Sequence, residues 1–352
     1  MPLGTVRGMT VIRTERLVLR PLAHADVDLY IAYRSDPETL THMDSRVPPD
    51  PDRVRARVER FAALGGPDED VWFQFAITLA GDGVVVGDVG VGIKAGGGVA
   101  EIGYVLRPEF RGLGYASEAA GALVDHVIEQ HSIHRIEAVL SPLNPASMRV
   151  LESIGMQFES TTRLSCCVDG VWEDDLHYAM LADDRRLWLS RDRHTPEHVE
   201  LVEVTAEDAP SWAKLETHYS QEAYVAPMLH TFRDALFPEP VDGVMTVPWM
   251  RGIRADRTPA GFMMVSTTYG RHSASWYLWR LLIDRMHQRR GIGERAIALL
   301  LDELRARDVQ RLFTSCGEGP GGPRPFYDRL GFVPTGGTVD EHETELVLSL
   351  GD

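Results

Sequence analysis

Hydrophobic and polar positions alternate along the first half in runs typical of strands and helices. Helical spacing predicts helices over 26–34 and 54–64, a longer one after residue 114 and a short one from residue 144. Apolar runs separated by glycine pairs and triplets predict strands at 16–22, 71–79, 84–93, 99–106 and 136–140, and the alternation from 158 to 181 predicts further strands.

The second half repeats this order. A capping pair, Thr205-x-x-Asp208, predicts a helix start, and two more helices are predicted over 292–307 and 324–330. Strands are predicted at 199–204, 245–253, 261–267, 276–283, 311–315 and 343–350. We therefore expect two domains, residues 1–184 and 199–352. The linker, residues 185–198, is dense in Asp and Arg, and Trp188 and Leu189 within it are expected to pack against one domain.

A glycine loop occurs once in each half. Arg111-Gly112-Leu113-Gly114-Tyr115-Ala116 and Gln288-Arg289-Arg290-Gly291-Ile292-Gly293 share the pattern Gln/Arg-x-x-Gly-x-Gly/Ala. Each follows a strand-like run and opens a helix-like run, and a further glycine, Gly155 or Gly331, follows at nearly the same distance. Backbone N–H groups at a helix N-terminus bind anions, so the loops predict a phosphorylated cofactor, in two places if both loops are used.

Two other phosphate-binding motifs fit less well. No Gly-Lys-Ser/Thr follows either loop, which excludes a P-loop. The segment from Gly291 to Ala296 matches the dinucleotide fingerprint G-x-G-x-x-A, but that fingerprint follows the first strand of a βαβ unit directly. Here it follows the fourth strand, after a charged spacer. A dinucleotide enzyme stays open as an alternative that predicts tighter binding of NAD than of CoA.

Composition narrows the class of protein. The 352 residues carry a net charge of −16, with 44% hydrophobic and 25% charged residues, as in an ordinary globular protein. The sequence lacks the excess of basic residues typical of nucleic-acid-binding proteins, which argues against nucleic acid as a partner. It also argues against an RNA-acetylating toxin. An acidic surface is compatible with a cationic substrate, or it serves only solubility. Arginine far outnumbers lysine, which is associated with GC-rich bacterial genomes.

The sequence lacks the patterns typical of membrane spans, signal peptides and zinc sites. No apolar run approaches the roughly 20 residues of a membrane span, and residues 1–13 hold no signal-peptide core. The three cysteines, Cys166, Cys167 and Cys316, are odd in number, and no Cys/His cluster has zinc-ligand spacing. We expect a cytoplasmic protein with no membrane partner and no metal.

The whole chain resembles a tandem pair of GNAT N-acetyltransferase domains. The first half is similar to the branch that acetylates ribosomal-protein N-termini and small amines, through residues 14–21 and 102–108, Asn144-Pro145-Ala146-Ser147 and residues 151–156. The second half is similar to bacterial spermidine and diamine acetyltransferases, through residues 221–226, 261–264, 277–284 and 326–332. The resemblance implies an α/β fold in which each domain has a mixed, mostly antiparallel sheet flanked by helices. The fourth and fifth strands splay apart to form the cofactor cleft.

The resemblance also implies acetyl-CoA as cofactor, with its pyrophosphate on the loops and its pantetheine arm along the preceding strand. The implied contacts are Val105, Arg107, Arg111, Gly112, Leu113, Gly114, Tyr115, Ala116 and Asn144 in the first half, and Leu282, Asp284, Gln288, Arg289, Arg290, Gly291, Ile292 and Gly293 in the second. Asp284 is expected to contribute its backbone rather than to act as a base.

Acetyl transfer to an amine needs a proton acceptor, an oxyanion donor and a proton for the departing thiolate. The resemblance implies Tyr327 as the thiolate's proton donor, although a core-packing role fits it too. The first half has Leu151 at that position, and Ser147 either donates to the thiolate or only begins a helix. Glu101 is either the base or an exposed strand carboxylate. In the second half no base is evident on the matching strand, which leaves open a water chain or a carboxylate from another element, such as Glu222. Pro320 replaces a cofactor-binding asparagine there.

The leading hypothesis is an acetyl-CoA-dependent N-acetyltransferase acting on a primary amine of a small cationic molecule, such as a polyamine or an aminoglycoside. The alternatives are acetylation of a protein or peptide N-terminus, a single active domain as in mycothiol synthase, and a non-catalytic acyl-CoA-binding or scaffold protein. The chain is expected to be a two-domain monomer or a homodimer.

Overall fold

The computed structural model describes residues 9–43, 46–241, 243–270, 274–339 and 342–351. The chain divides into two compact units, and the division lies between Leu189 and Ser190. Each unit is described here by itself.

The first unit begins with short strands and three helices, continues with a meander and ends with a long hairpin and a helix. Its elements are β1 (Ile12–Arg13), β2 (Leu17–Pro21), α1 (Val27–Arg34), α2 (Pro37–Leu40), α3 (Pro51–Leu64), β3 (Trp72–Leu79), β4 (Val85–Ile93), β5 (Val99–Leu106), α4 (Tyr115–His131), β6 (Arg135–Leu140), α5 (Pro145–Ser153), β7 (Gln157–Val168), β8 (Val171–Leu181) and α6 (Ala182–Ser190).

The second unit follows the same plan with shorter helices at its start. Its elements are β9 (Val199–Glu203), α7 (Ala209–Trp212), α8 (Met228–Leu236), β10 (Pro240–Val241), β11 (Val244–Met245), β12 (Pro248–Ala255), β13 (Thr258–Ser266), β14 (Ser275–Ile283), α9 (Ile292–Ala306), β15 (Arg311–Gly317), α10 (Arg324–Arg329), β16 (Val333–Val339) and β17 (Glu343–Ser349).

The two main sheets repeat one strand order. Within the described residues, the first sheet runs β1-β2-β3-β4-β5-β6-β8-β7 and the second runs β9-β12-β13-β14-β15-β17-β16. Neighbouring strands are antiparallel except at one place in each sheet, where β5 pairs with β6 and β14 with β15 in parallel. The predicted mixed, mostly antiparallel sheets flanked by helices are therefore confirmed.

The parallel pairs are short and then separate. The β5–β6 pairing covers three residue pairs and ends at Glu101 with Glu137. The β14–β15 pairing also covers three and ends at Tyr277 with Phe313. Beyond these points the strands diverge, which opens a cleft at the same place in both sheets. The predicted splay of the fourth and fifth strands is thus present twice.

Local signals explain the helices that flank the cleft. Asp50 begins α3 by accepting a hydrogen bond from the Arg53 N–H at 2.9 Å, and Gly65 ends it with φ +73°. Helix α9 buries one apolar face, made by Ile292, Ala296, Ile297, Leu300 and Leu304, against the second sheet.

Helix α6 covers the beginning of the stretch that was predicted to be a linker. Arg185 is buried and donates to the Asp125 carboxylate at 2.7 Å and to the Ile154 carbonyl at 2.6 Å. Trp188 is buried and its indole N–H donates to the Ser153 carbonyl at 3.2 Å, whereas Leu189 is 47% exposed. Residues 185–189 therefore pack as a helix of the first unit, because the Arg-Asp composition also suits a half-buried helix with a paired arginine.

Several elements of the second unit differ from the sequence-based expectation. The pair Thr205 and Asp208 forms its hydrogen bonds, but α7 ends after four residues, at Trp212. Helix α8 arises in a stretch read only as polar and aromatic. Strand β16 contains a proline and two glycines, which are depleted in strands, and it forms at the sheet edge where such residues are tolerated.

We expect Gly155→Ala to lower the free energy of unfolding of the first unit by about 3 kcal/mol. Gly155 has φ +97°, a conformation that alanine adopts with strain, and an added Cβ would lie 2.5 Å from Cγ of the Trp188 ring. Urea unfolding followed by Trp fluorescence measures the change.

Gly170→Ala is the matched control, because Gly170 has φ +80° and its Cβ would meet nothing within 4 Å among the described residues. Its free energy of unfolding should fall by only about 1 kcal/mol, the cost of a left-handed alanine without a steric clash. Equal losses for the two variants would show that the Trp188 contact adds nothing.

Candidate functional site

The cleft of the first unit holds a cavity of about 330 Å³. It lies where β5 and β6 have separated, between the diverging strand ends, the first glycine loop and the first turn of α5. The sequence-predicted residues among those that line it are Val105, Arg111, Gly112, Ala116, Asn144 and Ser147. The structure therefore gathers the predicted cofactor residues and one candidate proton donor around a single space.

The first glycine loop has the geometry of an anion site. Gly112 and Gly114 have φ +76° and +80°, and α4 begins directly after Gly114 with no side chain of the described residues capping it. Arg111 fixes the loop by donating to the Leu106 carbonyl at 3.3 Å and to Thr39 Oγ1 at 2.7 Å. The N–H groups of the first helical turn thus face open space, where a pyrophosphate can bind them.

Arg16 is a neighbour of this loop that the sequence analysis missed. Its guanidinium donates to the Leu113 carbonyl at 3.0 Å and lies 4.8 Å from the centroid of the Tyr115 ring, while Glu118 binds it at 2.6 Å. Leu113 itself is 52% exposed. The Arg16–Glu118 pair therefore ties the rim of the loop to the first turn of α4.

The second glycine loop repeats this backbone with different residues. Gly291 has φ +76° and precedes α9, and Arg289 takes the place of Gly112 with φ +63°. Gln288 donates to the Ile283 carbonyl at 3.0 Å, which matches the bond from Arg111 to Leu106, and it also binds Gln221 at 2.7 Å. A Cβ at Gly291 would meet nothing within 4 Å among the described residues. An anion can approach this helix end as well.

Two predicted cofactor residues of the second unit have side chains with structural partners. Arg290 is buried, and its guanidinium binds the His194 carbonyl at 2.7 Å and the Asp192 carboxylate at 2.6 Å. Asp284 accepts from the N–H groups of Glu216 at 3.0 Å and of Met286 at 2.9 Å. These partners occupy both side chains, so a ligand at either residue would be met by backbone groups, which is the contribution expected of Asp284 and of the loop.

The remaining predicted contacts lie close to the loops. Arg107 donates to the Val85 carbonyl at 2.7 Å and pairs with Glu109 at 2.5 Å. Leu282 and Ile292 are buried in the core. A Cβ at Gly293 would lie 3.5 Å from the Phe326 ring, so the helix start and α10 are close.

Tyr327 lies in α10 with its ring packed against Phe326 and Phe332, at centroid distances of 5.3 and 5.4 Å. Its hydroxyl lies near Thr314, whose Oγ1 donates to the Leu278 carbonyl at 3.0 Å across the opening between β14 and β15. Burial raises the pKa of Tyr327 to about 12. The phenol therefore keeps its proton at neutral pH and is placed beside the second cleft.

The first cleft has different groups at the corresponding place. Leu151 is buried, and Asn144 caps α5 by accepting from the Ser147 N–H at 3.0 Å. Tyr104, whose role the sequence analysis did not identify, crosses from β5 and donates to the Ser147 carbonyl at 3.1 Å. Ser147 thus begins the helix and also lines the cavity, so both readings of it are compatible with the geometry.

Glu101 lies at the last paired position of β5, one residue before the strands separate, and is not among the residues that line the cavity. Trp72 covers the neighbouring positions. Added Cβ atoms at Gly90, Gly92 and Gly103 would lie 2.6, 2.9 and 3.3 Å from its indole. This tryptophan was missed, although the glycines on one strand face signal a large side chain lying across them.

A β-bulge interrupts the second cleft. Met264 pairs with Arg280 and Val265 with Leu278, so Trp279 is the extra residue in β14. A bulge residue leaves the ladder, and its backbone groups are available for other partners. An N–H at this position could stabilise a developing oxyanion. The pattern of apolar residues along β14 does not reveal the bulge.

Two features are absent from the described part of the chain. No helix there is long and apolar enough to cross a membrane. No group of three or more His, Cys, Asp or Glu side chains in that part could hold a metal ion.

Similar proteins of about half this length match the chain. The uncharacterized N-acetyltransferase YnaD of Bacillus subtilis is 28% identical over 173 residues, covering 49% of this chain and 98% of YnaD. The uncharacterized N-acetyltransferase p20 of Bacillus licheniformis is 33% identical over 156 residues, 44% of this chain and 86% of p20. The crystal structure of a GNAT-family acetyltransferase from Bacillus anthracis is 29% identical with a TM-score of 0.44, covering 49% of this chain and 99% of that one.

Family models match both halves. The model of the acetyltransferase (GNAT) domain matches residues 16–157, and that of the acetyltransferase (GNAT) family matches residues 209–332. These matches together span more than half of the chain, and each includes one glycine loop and the parallel strand pair beside it. The protein therefore belongs to the GNAT family of acetyl-CoA-dependent N-acetyltransferases and carries two such domains in tandem.

Proposed function

We propose that each domain transfers an acetyl group from acetyl-CoA to the primary amine of a small cationic molecule, such as a polyamine or an aminoglycoside. The observation that carries this proposal is a carboxylate near each cleft. Glu101 lies on β5 at the last pair before the first cleft opens, opposite Glu137, whose carboxylate binds Lys94 and Arg135. Glu343 lies on β17, next to β15, the strand that borders the second cleft. The net charge of −16 adds long-range attraction for a cation.

The residues present fit the cofactor. Both glycine loops have residues with left-handed φ at matched positions and lead into a helix start with no side-chain cap, so backbone N–H groups are offered as donors. The cavity of about 330 Å³ in the first cleft offers a slot for an acyl chain. Acetyl-CoA supplies the acetyl group as a thioester. We infer that the loop N–H groups hold its pyrophosphate and that the unpaired ends of β5 and β14 hold its pantetheine arm.

The proton donors differ between the domains in this proposal. Tyr327 keeps its proton because its pKa is raised to about 12, and it would return that proton to the departing sulfur in the second domain. Ser147 is the corresponding donor proposed for the first domain, and Glu101 its proton acceptor.

The test measures thiol release by the full chain with acetyl-CoA and three acceptors: spermidine, an aminoglycoside and a neutral peptide with a free N-terminus. We expect the cationic molecules to have the lower KM, and their KM to rise with ionic strength as surface attraction is screened. Propylamine, with one charge, is the matched control for spermidine.

A preference for the peptide that does not depend on salt would contradict the proposal and favour acetylation of protein N-termini. Binding of acetyl-CoA without turnover of any amine would indicate the non-catalytic alternative.

A further inference from the structure

The parallel strand pairs define equivalent positions in the two domains. In the first domain Glu101 pairs with Glu137 at the last step before the strands separate. In the second domain Tyr277 pairs with Phe313 at the same step. Tyr277 therefore occupies the position that Glu101 holds, and the second domain presents a phenol where the first presents a carboxylate.

The phenol of Tyr277 is connected to a carboxylate on another strand. Its Oη lies 2.6 Å from Ser315 Oγ on β15, and Ser315 Oγ donates to the carboxylate of Glu343 on β17. Because the Ser315 proton points to Glu343, its oxygen accepts the Tyr277 proton. The lone pairs of the Tyr277 oxygen stay available for a further donor.

Neighbouring groups hold this chain of hydroxyls in place. The Tyr277 ring stacks on Tyr269, with centroids 4.7 Å apart and planes at 11°. Burial raises the pKa of Tyr277, so the phenol remains protonated at neutral pH and can pass a proton on. Tyr277 also interacts electrostatically with Tyr327, which places this network near the proposed thiolate donor.

We propose that Tyr277, Ser315 and Glu343 form the proton-accepting site for the acceptor amine in the second domain. This inference rests on the proposed function above. It supplies the base that no carboxylate on β14 provides, and it takes a protonated primary amine, since a carboxylate behind two neutral hydroxyls attracts a cation.

The proton transfer balances over the three groups. The ammonium N–H bond breaks and its proton binds the Tyr277 oxygen, while the former Tyr277 proton moves to Ser315 and the former Ser315 proton moves to Glu343. The electron pair of the broken bond stays on nitrogen and becomes the nucleophile. Both hydroxyls end as they began, and the Glu343 carboxyl is neutral.

A comparison of pH profiles between variants is informative only if the charged groups around Tyr277 and Glu343 are the same in each variant. The groups that interact with Tyr277 or Glu343, directly or through Cys316, are Arg280, Cys316, Glu318, Arg324, Tyr327 and Asp328. A change confined to the carboxylate of Glu343 leaves all six in place, so a difference in the pH profile reports that carboxylate.

The experiment compares Glu343→Gln with Glu345→Gln in the full chain carrying Gly114→Trp, which places a bulky side chain over the first glycine loop. Glu345 lies two residues further along β17, and its carboxylate forms no hydrogen bond with the three relay groups in the described part of the chain; it accepts hydrogen bonds from Tyr269 and, at 2.5 Å, from Thr335, which the amide oxygen of a glutamine can still accept. Acetyl transfer to spermidine is measured from pH 7 to pH 10, and acetyl-CoA titration checks that each variant retains its cofactor site.

We expect Glu343→Gln to lower kcat/KM about 100-fold at pH 7 and less than about fivefold at pH 10, where the amine loses its proton to solvent. Glu345→Gln should stay within about twofold of the parent. Ser315→Ala and Tyr277→Phe, which break the relay and leave the carboxylate, should reproduce the loss at pH 7, and Ser315→Ala decides the outcome if Glu343→Gln fails to bind acetyl-CoA.

Equal pH profiles for Glu343→Gln and Glu345→Gln in an active parent would overturn the relay alone. A parent that binds acetyl-CoA and acetylates no amine would overturn the proposed function of this domain together with the relay.

Discussion

Replacing Tyr327 with phenylalanine lowers the kcat of the second domain about 100-fold and leaves its affinity for acetyl-CoA unchanged. The change removes one oxygen from a buried ring whose packing against Phe326 and Phe332 the new side chain retains. The departing thiolate then lacks its proton donor, whereas the loop that holds the cofactor is untouched.

Steady-state rates in the Gly114→Trp chain, with acetyl-CoA titration of the same samples, measure both quantities. Tyr178→Phe is the matched control, because it removes another buried hydroxyl, one bonded to Glu152 at 3.1 Å in the first domain. A Tyr327→Phe variant as fast as its parent would assign Tyr327 to packing alone.

Gly114→Trp and Gly291→Trp should each abolish one acetyl-CoA site, weakening it at least about 100-fold, or roughly 2.7 kcal/mol. Both glycines have left-handed φ values, +80° and +76°, at the residue that precedes a helix. A tryptophan there strains the loop and covers the N–H groups that would bind the pyrophosphate.

Gly170→Trp and Gly336→Trp are the controls, one in each domain. They have φ values of +80° and +88° with nothing within 4 Å of an added Cβ among the described residues, and neither lies in a loop that precedes a helix. Calorimetric titration should find both sites intact in these variants. Loss of a site in a control variant would mean that a tryptophan at any left-handed glycine is enough to abolish acetyl-CoA binding. The glycine loops would then not be identified as the binding sites.

The sequence was sufficient for the parts of the fold that local chemistry determines. Strands such as Val99–Leu106 and the helix starts after Gly114 and Gly291 follow from apolar runs and from backbone conformations that glycine adopts readily. The repeated order of these signals was enough to predict two similar domains with a cleft in each.

Long-range contacts limited the prediction elsewhere. Arg290 matches the loop motif, but Asp192 and the His194 carbonyl, nearly 100 residues away in the chain, bind its side chain. Strand β16 forms against its propensity because the edge of the sheet accepts proline. The equivalence of Glu101 and Tyr277 depends on strand register, which periodicity does not determine.

Some residues of the candidate sites could be predicted from the sequence and others could not. Residues close to the loops were found because one motif contains them, whereas Trp72, Tyr104 and Ser315 were missed because their contacts are with residues distant in the chain. A relay built from three strands has no signature in sequence spacing. Its members become visible only when the order and register of β14, β15 and β17 are known.

Calorimetric titration of acetyl-CoA into the wild-type chain decides whether both domains bind the cofactor. We expect two binding sites per chain, of which Gly114→Trp and Gly291→Trp each remove one. A single site, lost entirely in one of these variants and unchanged in the other, would contradict a second functional domain. No binding at all would contradict acetyl transfer by this protein.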